Sequence, residues 1–252
     1  MLLILSSAKT LVFDDVFTTS ETKTTPNFQK YGDFLVNSLK KLSPQKLGKL
    51  LGVSDPLANL NYQRFQSFDT AEKQACILAY RGDVFKQLDL IDFTDDDYIF
   101  AQEHLRVISG LYGILRTLDE ISPYRLEMNT RLTTEKADNL YNFWGEKVTE
   151  NLNEDLEKHK TQILVNLASQ EYSRLIQSRQ FNYPILKVSF KEMRDGKLKT
   201  IGITAKKSRG LITNWIIKNK IDEPSKFKNY SGLGYYYDEN LSNEEEIVFV
   251  KR

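Results

Sequence analysis

The feature that most constrains the fold is a largely apolar segment, Gln102 to Leu132, that contains four arginines. They are Arg106, Arg116, Arg125 and Arg131. A guanidinium is almost never fully buried without a partner, so the fold must supply one for each of these side chains. Two interpretations are open: an enclosed cationic cleft that binds phosphate, carboxylate or nucleic-acid backbone, or ion pairs that fix the fold. The acids available for such pairs are Glu103, Asp119, Glu120 and Glu127.

The composition is that of a soluble globular protein. With 252 residues, of which 40% are hydrophobic and 27% charged, the chain can bury a sizeable core. No segment approaches the ~20 apolar residues that cross a bilayer, and the start, MLLILSSAKT, lacks the basic region of a secretory signal. A single cysteine, Cys76, excludes an intramolecular disulfide and fits a reducing compartment. We therefore expect a cytoplasmic protein with no membrane partner.

Charge is distributed unevenly along the chain. Between Tyr183 and Gly234 there are twelve lysines and arginines and only four acids, although the net charge of the whole chain is +1. Acidic residues concentrate instead between Asp83 and Glu103 and between Asp238 and Glu246. Such asymmetry permits anion binding on one side of the molecule while the total charge stays near zero.

Apolar periodicity predicts a mixed α/β fold. Continuous apolar runs at 2–7 and 163–167 are typical of buried strands, and 246–250 suits a final strand. Asp195-Gly196 favours a type I′ hairpin between strands at 185–193 and 197–205. Helices are expected after Thr24–Pro26, after the N-cap candidates Thr70, Thr94 and Ser169, and over 208–219.

No internal repeat or linker divides the chain. We therefore predict one compact domain over 1–252. Its fold class is α/β (mixed α+β), with a mixed central sheet and surrounding helices.

The segment 42–61 carries a sharper pattern: a short helix, a turn from Gly52 to Ser54, and a second helix opened by an Asp-Pro pair. This order is similar to a helix-hairpin-helix module, in which backbone N–H groups of the hairpin and the next helix hold a DNA phosphate without reading bases. Lys46 and Lys49 would add to that contact. Ser54 stands where a second glycine is usual, and the aspartate adds a negative charge. An ordinary αα-hairpin with Gly52 as its C-cap is therefore the alternative.

Motifs for metals and cofactors are absent from the sequence. There is no phosphate-binding loop, and His104 and His159 lie far apart without a ligand motif. The acidic stretch 92–97 is better explained by helix capping than by a carboxylate metal site. We therefore expect no metal and no cofactor. Cys76 lies in an apolar helical pattern, which predicts a buried thiol rather than a reactive one, and the glycines of SGLYG are expected to allow close packing.

Eight sequence blocks carry a resemblance to a known family. They are SSAKTL at 6–11, GDVF at 82–85, HLRVISGLYGILRTLD at 104–119, PYRLEM at 123–128, LYNFWG at 140–145, NLASQEY at 166–172, KKSRGLI at 206–212 and GYYYD at 234–238. In this order the chain resembles the YaaA family of bacterial peroxide-stress proteins over essentially its whole length. Two positions depart from the family's pattern: Ser7 stands where proline is usual, and Ser208 where alanine is usual.

The resemblance implies a cytoplasmic protein that lowers hydrogen peroxide damage by limiting free intracellular iron. It also implies DNA binding by a single-domain α/β fold with a helix-hairpin-helix-like element and a basic cleft. We predict that double-stranded DNA is held by its phosphates, largely without sequence preference and with strong salt dependence. The predicted hairpin contacts are the backbone of Gly52 and Ser54, with Lys46 and Lys49. The predicted cleft contacts are Lys9, Arg106, Arg116, Arg125, Arg131, Lys206, Lys207 and Arg209.

The alternative is an enzyme that acts on a nucleotide or another phosphorylated small molecule in the same cleft. Glu127 or Glu171 would serve as a base, and Lys9 as a cation or nucleophile. Ser169 would otherwise only cap a helix, and Glu127 would only pair with an arginine. No pair of residues specifies a reaction class, so the catalytic residues stay unassigned. A shallow groove would favour duplex DNA, and a closed pocket would favour a small anionic ligand.

Overall fold

A mixed sheet of nine strands organises the described part of the chain, which comprises residues 1–13, 21–177 and 179–252 of this computed structural model. The strands are β1 (Leu2–Ser6), β2 (Gln74–Ala75), β3 (Leu105–Ser109), β4 (Gly113–Arg116), β5 (Glu120–Ile121), β6 (Leu164–Asn166), β7 (Ile185–Arg194), β8 (Lys197–Lys199), β9 (Ser231–Gly232), β10 (Tyr235–Tyr237) and β11 (Glu246–Lys251). The sheet order is β4-β3-β1-β6-β7-β11-β10-β9, and β8 pairs with the end of β7. Strands β2 and β5 form a separate pair.

The centre of the sheet is parallel and its edges are antiparallel. Strands β3, β1, β6, β7 and β11 run in the same direction, whereas β4 and β10 run against their neighbours. Strand β1 lies between β3 and β6, and the side chains from Met1 to Leu5 are fully buried. Layers of other elements cover both faces of such a strand, which explains its continuous apolar sequence. The predicted buried strands at 2–7 and 163–167 and the final strand at 246–250 are confirmed.

Helices surround the sheet. They are α1 (Gln29–Lys40), α2 (Pro44–Leu51), α3 (Asp55–Gln66), α4 (Cys76–Ala79), α5 (Asp95–His104), α6 (Leu140–Glu157), α7 (Gln170–Ser173) and α8 (Gly202–Lys218), with 3-10 helices at Phe85–Gln87 and Pro224–Asn229. The predicted mixed α/β class with a mixed central sheet is confirmed. No helix within the described residues is long and apolar enough to cross a membrane.

The helix start predicted at Thr94 is confirmed, whereas the one predicted at Thr70 is wrong. Thr94 accepts a hydrogen bond from the backbone N–H of Asp97, and the Asp97 carboxylate accepts one from the Thr94 N–H. After Thr70 the chain instead forms β2, and α4 begins only at Cys76. The backbone N–H groups of Cys76 and Ile77 donate to the carbonyls of Asp119 and Thr117. Pairing with that neighbouring segment competes with a longer helix here.

The hairpin predicted at Asp195-Gly196 is confirmed, but its second strand is shorter than expected. Asp195 and Gly196 have φ angles of 52° and 73°, the left-handed pair that a type I′ turn requires. Strand β8 ends at Lys199, and α8 begins at Gly202, where the sequence favoured a strand to Ala205. The Ala205 N–H donates to the Ile201 carbonyl, and the Thr204 hydroxyl donates to the Glu192 carboxylate. These two bonds start the helix early.

Close packing explains the glycines of SGLYG, as predicted. Gly113 has a φ of 72°, and a Cβ at this position would lie 2.7 Å from the Trp144 ring. At Gly110 a Cβ would collide with the Leu126 carbonyl oxygen, and the Gly110 carbonyl accepts a hydrogen bond from the Trp144 indole at 3.0 Å. The buried indole therefore packs directly against the turn between β3 and β4.

Replacing Glu192 should expose how β7, β10 and α8 are connected. Its buried carboxylate accepts hydrogen bonds from Thr204 at 2.6 Å and from Tyr235 at 2.8 Å, and these bonds lower the pKa of Glu192 to about 2. Because the folded pKa lies below the ordinary value of 4.5, this stabilisation is present above pH 4.5 and is lost as the pH falls towards 2. We expect Glu192→Gln to lower the free energy of unfolding at pH 7 by about 1–3 kcal/mol.

Urea unfolding at pH 7 and near pH 3 measures this effect. The difference in the free energy of unfolding between wild type and Glu192→Gln should be smaller near pH 3 than at pH 7. Glu244→Gln, which alters an exposed acid, should leave the free energy of unfolding unchanged at both pH values. If the difference in unfolding free energy were as large near pH 3 as at pH 7, the stabilisation would not come from the ionised Glu192 carboxylate.

Candidate functional site

A cavity of about 630 Å³ opens at the carboxyl ends of β1 and β6. Its walls are the segment that follows β1, the loop 81–86, the segment around α7 and the first half of α8, together with Glu127. The position follows from the topology, because β1 has β3 on one side and β6 on the other, and all three run parallel. Segments that leave such strands for opposite sides of the sheet open a crevice at their carboxyl ends, which is where α/β proteins bind ligands.

Among the described residues, cations outnumber acids in this cavity. Five cationic side chains of this part of the chain line it, namely Lys9, Arg81, Lys86, Lys206 and Arg209, against the three carboxylates Asp83, Glu127 and Glu171. Glu127 accepts from Lys9 at 2.6 Å and from Arg125 at 3.1 Å, so its charge is already matched within the protein. Glu171 accepts from the Asn129 backbone N–H. The remaining excess of positive charge favours an anionic ligand.

Arg209 is a half-buried cation in this cavity. Its side chain is half-buried, and its buried Nε has no hydrogen-bond partner among the described residues. Burial lowers the pKa of Arg209, yet a guanidinium stays charged at neutral pH. Lys206 lies one helical turn earlier and is exposed. A phosphate between these two side chains would receive charge-assisted hydrogen bonds that the protein does not otherwise supply.

Hydroxyl groups line the strand ends but form no nucleophile–base pair within the described residues. Ser6 Oγ accepts from the Ser169 N–H at 2.9 Å and contacts Ser169 Oγ at 3.3 Å. Ser7 Oγ donates to the Tyr172 hydroxyl at 3.4 Å, and burial raises the pKa of Tyr172, so that the phenol stays protonated. The hydroxyls of Ser169 and Tyr172, which accept these bonds, can donate to an anion, and the geometry selects none of these groups as a nucleophile.

The structure brings three of the predicted cleft residues together: Lys9, Lys206 and Arg209 line the cavity. It does not bring the four arginines of segment 102–132 there. Arg106 pairs with Asp155 and Arg116 with Asp119, each at 2.8 Å, while Arg125 pairs with Glu127, as described above. Arg131 and Lys207 are exposed and lie outside the lining. For Arg106, Arg116 and Arg125 the ion-pair interpretation therefore describes the fold, and their contact with DNA stays a prediction.

Sequence reasoning missed the loop 81–86, which supplies Arg81 and Lys86 to the cavity. A Cβ at Gly82 would lie 2.9 Å from the Ala8 Cβ, so this loop lies directly against the end of β1. The signal was present in the sequence, because GDVF at 82–85 and SSAKTL at 6–11 are two of the blocks that carried the family resemblance. Their proximity in the fold could not be inferred from the sequence, because the two blocks are far apart along the chain.

The segment 42–61 forms α2 and α3, joined by the turn from Gly52 to Ser54. Gly52 has a φ of 63° and would have open space around a Cβ, and Lys46 and Lys49 are exposed on α2. Ser54 occupies the N-cap position of α3 without a side-chain capping bond in the described structure. A helix-hairpin-helix module and an ordinary αα-hairpin both have this backbone, so DNA binding by the hairpin stays a prediction.

Comparison with known proteins connects this fold and cavity to a family. A family model described as "Peroxide stress protein YaaA" matches residues 1–241. The chain belongs to the YaaA family of peroxide stress proteins. A relative from Crocosphaera subtropica, named UPF0246 protein, is 71% identical over 251 residues, with all of both chains covered. Others from Saccharophagus degradans and Rickettsia felis are 42% and 43% identical, again over the full length of both chains.

This match confirms the YaaA family resemblance inferred from the sequence blocks, and the family is one of peroxide stress proteins. Burial also confirms the prediction for Cys76, whose side chain is fully buried and whose thiol donates to the Arg116 carbonyl at 3.1 Å. Burial raises the pKa of Cys76, so the reactive thiolate is suppressed.

Proposed function

We propose that this YaaA-family protein is cytoplasmic, that it binds double-stranded DNA by its phosphates through a basic cleft, largely independently of sequence, and that it limits iron-dependent peroxide damage. The observation that carries the proposal is the half-buried Arg209 guanidinium, whose Nε lacks a partner among the described residues and which stands beside Lys206 in a cavity with excess positive charge. A phosphate oxygen in the cavity would accept hydrogen bonds from the terminal N–H groups of this guanidinium. Backbone phosphates are the same in every sequence, so binding of this kind does not select bases.

The α2–α3 hairpin supports a second phosphate contact in this proposal. The uncapped N-terminus of α3 leaves N–H groups of its first turn for an external acceptor, and the Gly52 turn leaves space for close approach. Lys46 and Lys49 add positive charge on the preceding helix. Arg131 and Lys207, which are exposed, would extend the phosphate-binding surface.

Protection of DNA would be indirect. Ferrous iron converts peroxide into radicals that cleave DNA, whereas a thiol peroxidase needs an accessible cysteine of low pKa. Cys76 is fully buried and its pKa is raised, so it does not meet that requirement. A protein that covers the DNA backbone or alters iron handling would lower the damage without consuming peroxide.

The second candidate is an enzyme that acts on a nucleotide or another phosphorylated small molecule. The size and position of the cavity favour it, because ~300–1,000 Å³ is the usual range for small-molecule sites and the carboxyl ends of parallel strands are their usual place. In that case Lys206 and Arg209 would hold the phosphate, and Glu127 or Glu171 would act as the base. Both acids are engaged in hydrogen bonds within the protein, so a reaction would require one of them to be released.

Binding of a fluorescent duplex across a salt series tests the DNA proposal. We expect affinity to fall steeply with salt, and Lys206→Glu and Gly52→Asp each to weaken binding about tenfold or more at low salt. Lys160→Glu makes the same charge change as Lys206→Glu at an exposed position outside both elements, and it should have the smaller effect. If only Lys206→Glu lowered the affinity for the duplex, the cavity would remain a proposed DNA contact and the hairpin would not. An affinity that does not change with salt would contradict the proposal, and displacement of the duplex by a mononucleotide at micromolar concentration would favour the enzyme.

A further inference from the structure

Two histidines and an aspartate that are distant in sequence meet at the amino end of β1. His104 is the last residue of α5, His159 follows α6, and Asp222 follows α8. The cavity described above lies at the carboxyl end of the same strand, so the two places are separated by the length of β1. This cluster of His104, His159 and Asp222 therefore forms no part of the proposed phosphate site.

The distances within the cluster suit a shared ion. One ring nitrogen of each histidine and one carboxylate oxygen all lie within 4.8 Å of one another, and the two rings are 4.7 Å apart. Ligands of a tetrahedral Zn²⁺ at ~2.0–2.2 Å lie roughly 3.3–3.5 Å from each other, so small side-chain rotations would bring these three groups onto one ion. All three side chains are half-buried, which leaves an open side for the ion to enter.

The surroundings of His104 resemble those of a metal-bound histidine. Its Nδ1 lies 2.8 Å from the Met1 carbonyl oxygen, and its ring stacks on Phe100 at 4.1 Å and 14°. A ring N–H that donates to a backbone carbonyl fixes the tautomer and leaves Nε2 with a lone pair, which is the arrangement that orients histidine ligands in metal sites. The stack on Phe100 restricts the ring further.

The Met1 amino group also lies at this cluster. It donates a hydrogen bond to Asp222 and lies 3.5 Å from His159 Nδ1, so a bound metal ion would replace this ammonium as the partner of the carboxylate.

We propose that His104, His159 and Asp222 form a binding site for a divalent first-row transition-metal ion. Imidazole nitrogens and a carboxylate suit Zn²⁺ and Co²⁺ rather than Mg²⁺ or Ca²⁺, which prefer sites made of oxygen ligands. Three protein ligands leave at least one coordination position for water. An ion here would connect the ends of α5, α6 and α8 at the start of β1.

Titration of the untagged full-length protein with Co²⁺ and with Zn²⁺ tests this site. We expect one equivalent of Co²⁺ to produce the visible absorption of a protein-bound ion and to raise the melting temperature, because binding to the folded state stabilises it. His159→Asn and Asp222→Asn should each weaken Zn²⁺ binding at least ~10-fold, since even secondary contacts to metal ligands matter that much. Glu223→Gln is the matched control, because Glu223 is the exposed neighbour of Asp222 and lies outside the cluster.

The result is judged on folded variants, as shown by their circular dichroism. One equivalent of bound ion, lost in both His159→Asn and Asp222→Asn and retained in Glu223→Gln, supports the site. Absence of stoichiometric binding by the wild type overturns it. So does binding that either ligand variant leaves unchanged, since the ion would then be held elsewhere.

Discussion

Gly210→Ala should destabilise the protein by roughly 3 kcal/mol and also weaken binding in the cavity. Gly210 is buried in α8, where a Cβ would collide with the Val84 carbonyl oxygen and lie 2.8 Å from the Gln87 Cβ. A clash with backbone cannot be relieved by rotating a side chain, so α8 must move away from the segment 84–87. Because α8 and the loop 81–86 both line the cavity, this movement would separate Arg209 from Lys86.

The control for this prediction is Gly202→Ala, at the first residue of the same helix. A Cβ at Gly202 would meet nothing within 4 Å, so alanine there should be neutral or stabilising by ~0.5–1 kcal/mol. Urea unfolding of both variants, with duplex binding measured on the folded protein, provides the comparison. A Gly210→Ala protein as stable as Gly202→Ala would show that α8 and the segment 84–87 are not in rigid contact.

The elements of this fold that local sequence specifies were predictable, and those that depend on long-range contacts were not. Continuous apolar runs identified β1, β6 and β11, because a strand buried on both faces has no polar alternation. The left-handed pair Asp195-Gly196 identified its hairpin for a similarly local reason. The start of α8 was misplaced because its position depends on Glu192, which lies across the hairpin and accepts the Thr204 hydroxyl.

The candidate sites show the same division. The charge of the 183–234 segment pointed to Lys206 and Arg209, and both line the cavity. The four arginines of segment 102–132 were expected to find partners, but Asp155, the partner of Arg106, belongs to a helix distant in sequence. For the same reason the separation of His104 and His159 along the chain gave no indication that their rings lie 4.7 Å apart. Such contacts form because the fold brings distant segments together, and the spacing of the residues along the chain does not reveal them.

Arg209→Gln should weaken duplex binding by about 10- to 100-fold at low salt. The guanidinium is half-buried at the cavity and pairs with no carboxylate among the described residues, so a phosphate there would accept from its terminal N–H groups. A charge-assisted hydrogen bond contributes about 1.5–3 kcal/mol, and ~1.4 kcal/mol corresponds to a tenfold change in affinity. Lysine keeps the charge but loses the forked geometry, so Arg209→Lys should recover only part of the affinity.

Lys207→Gln is the matched control on the same helix, because Lys207 is exposed and lies outside the cavity lining. Its removal should lower affinity only about as much as one lost phosphate contact, with a salt slope smaller by ~1. Fluorescence anisotropy with one duplex, over one salt series, measures all three variants, and thermal melting confirms that they are folded. If Arg209→Gln and Lys207→Gln bound equally well, the partially buried guanidinium would have no special role, and phosphate recognition would belong to the exposed surface instead of the cavity.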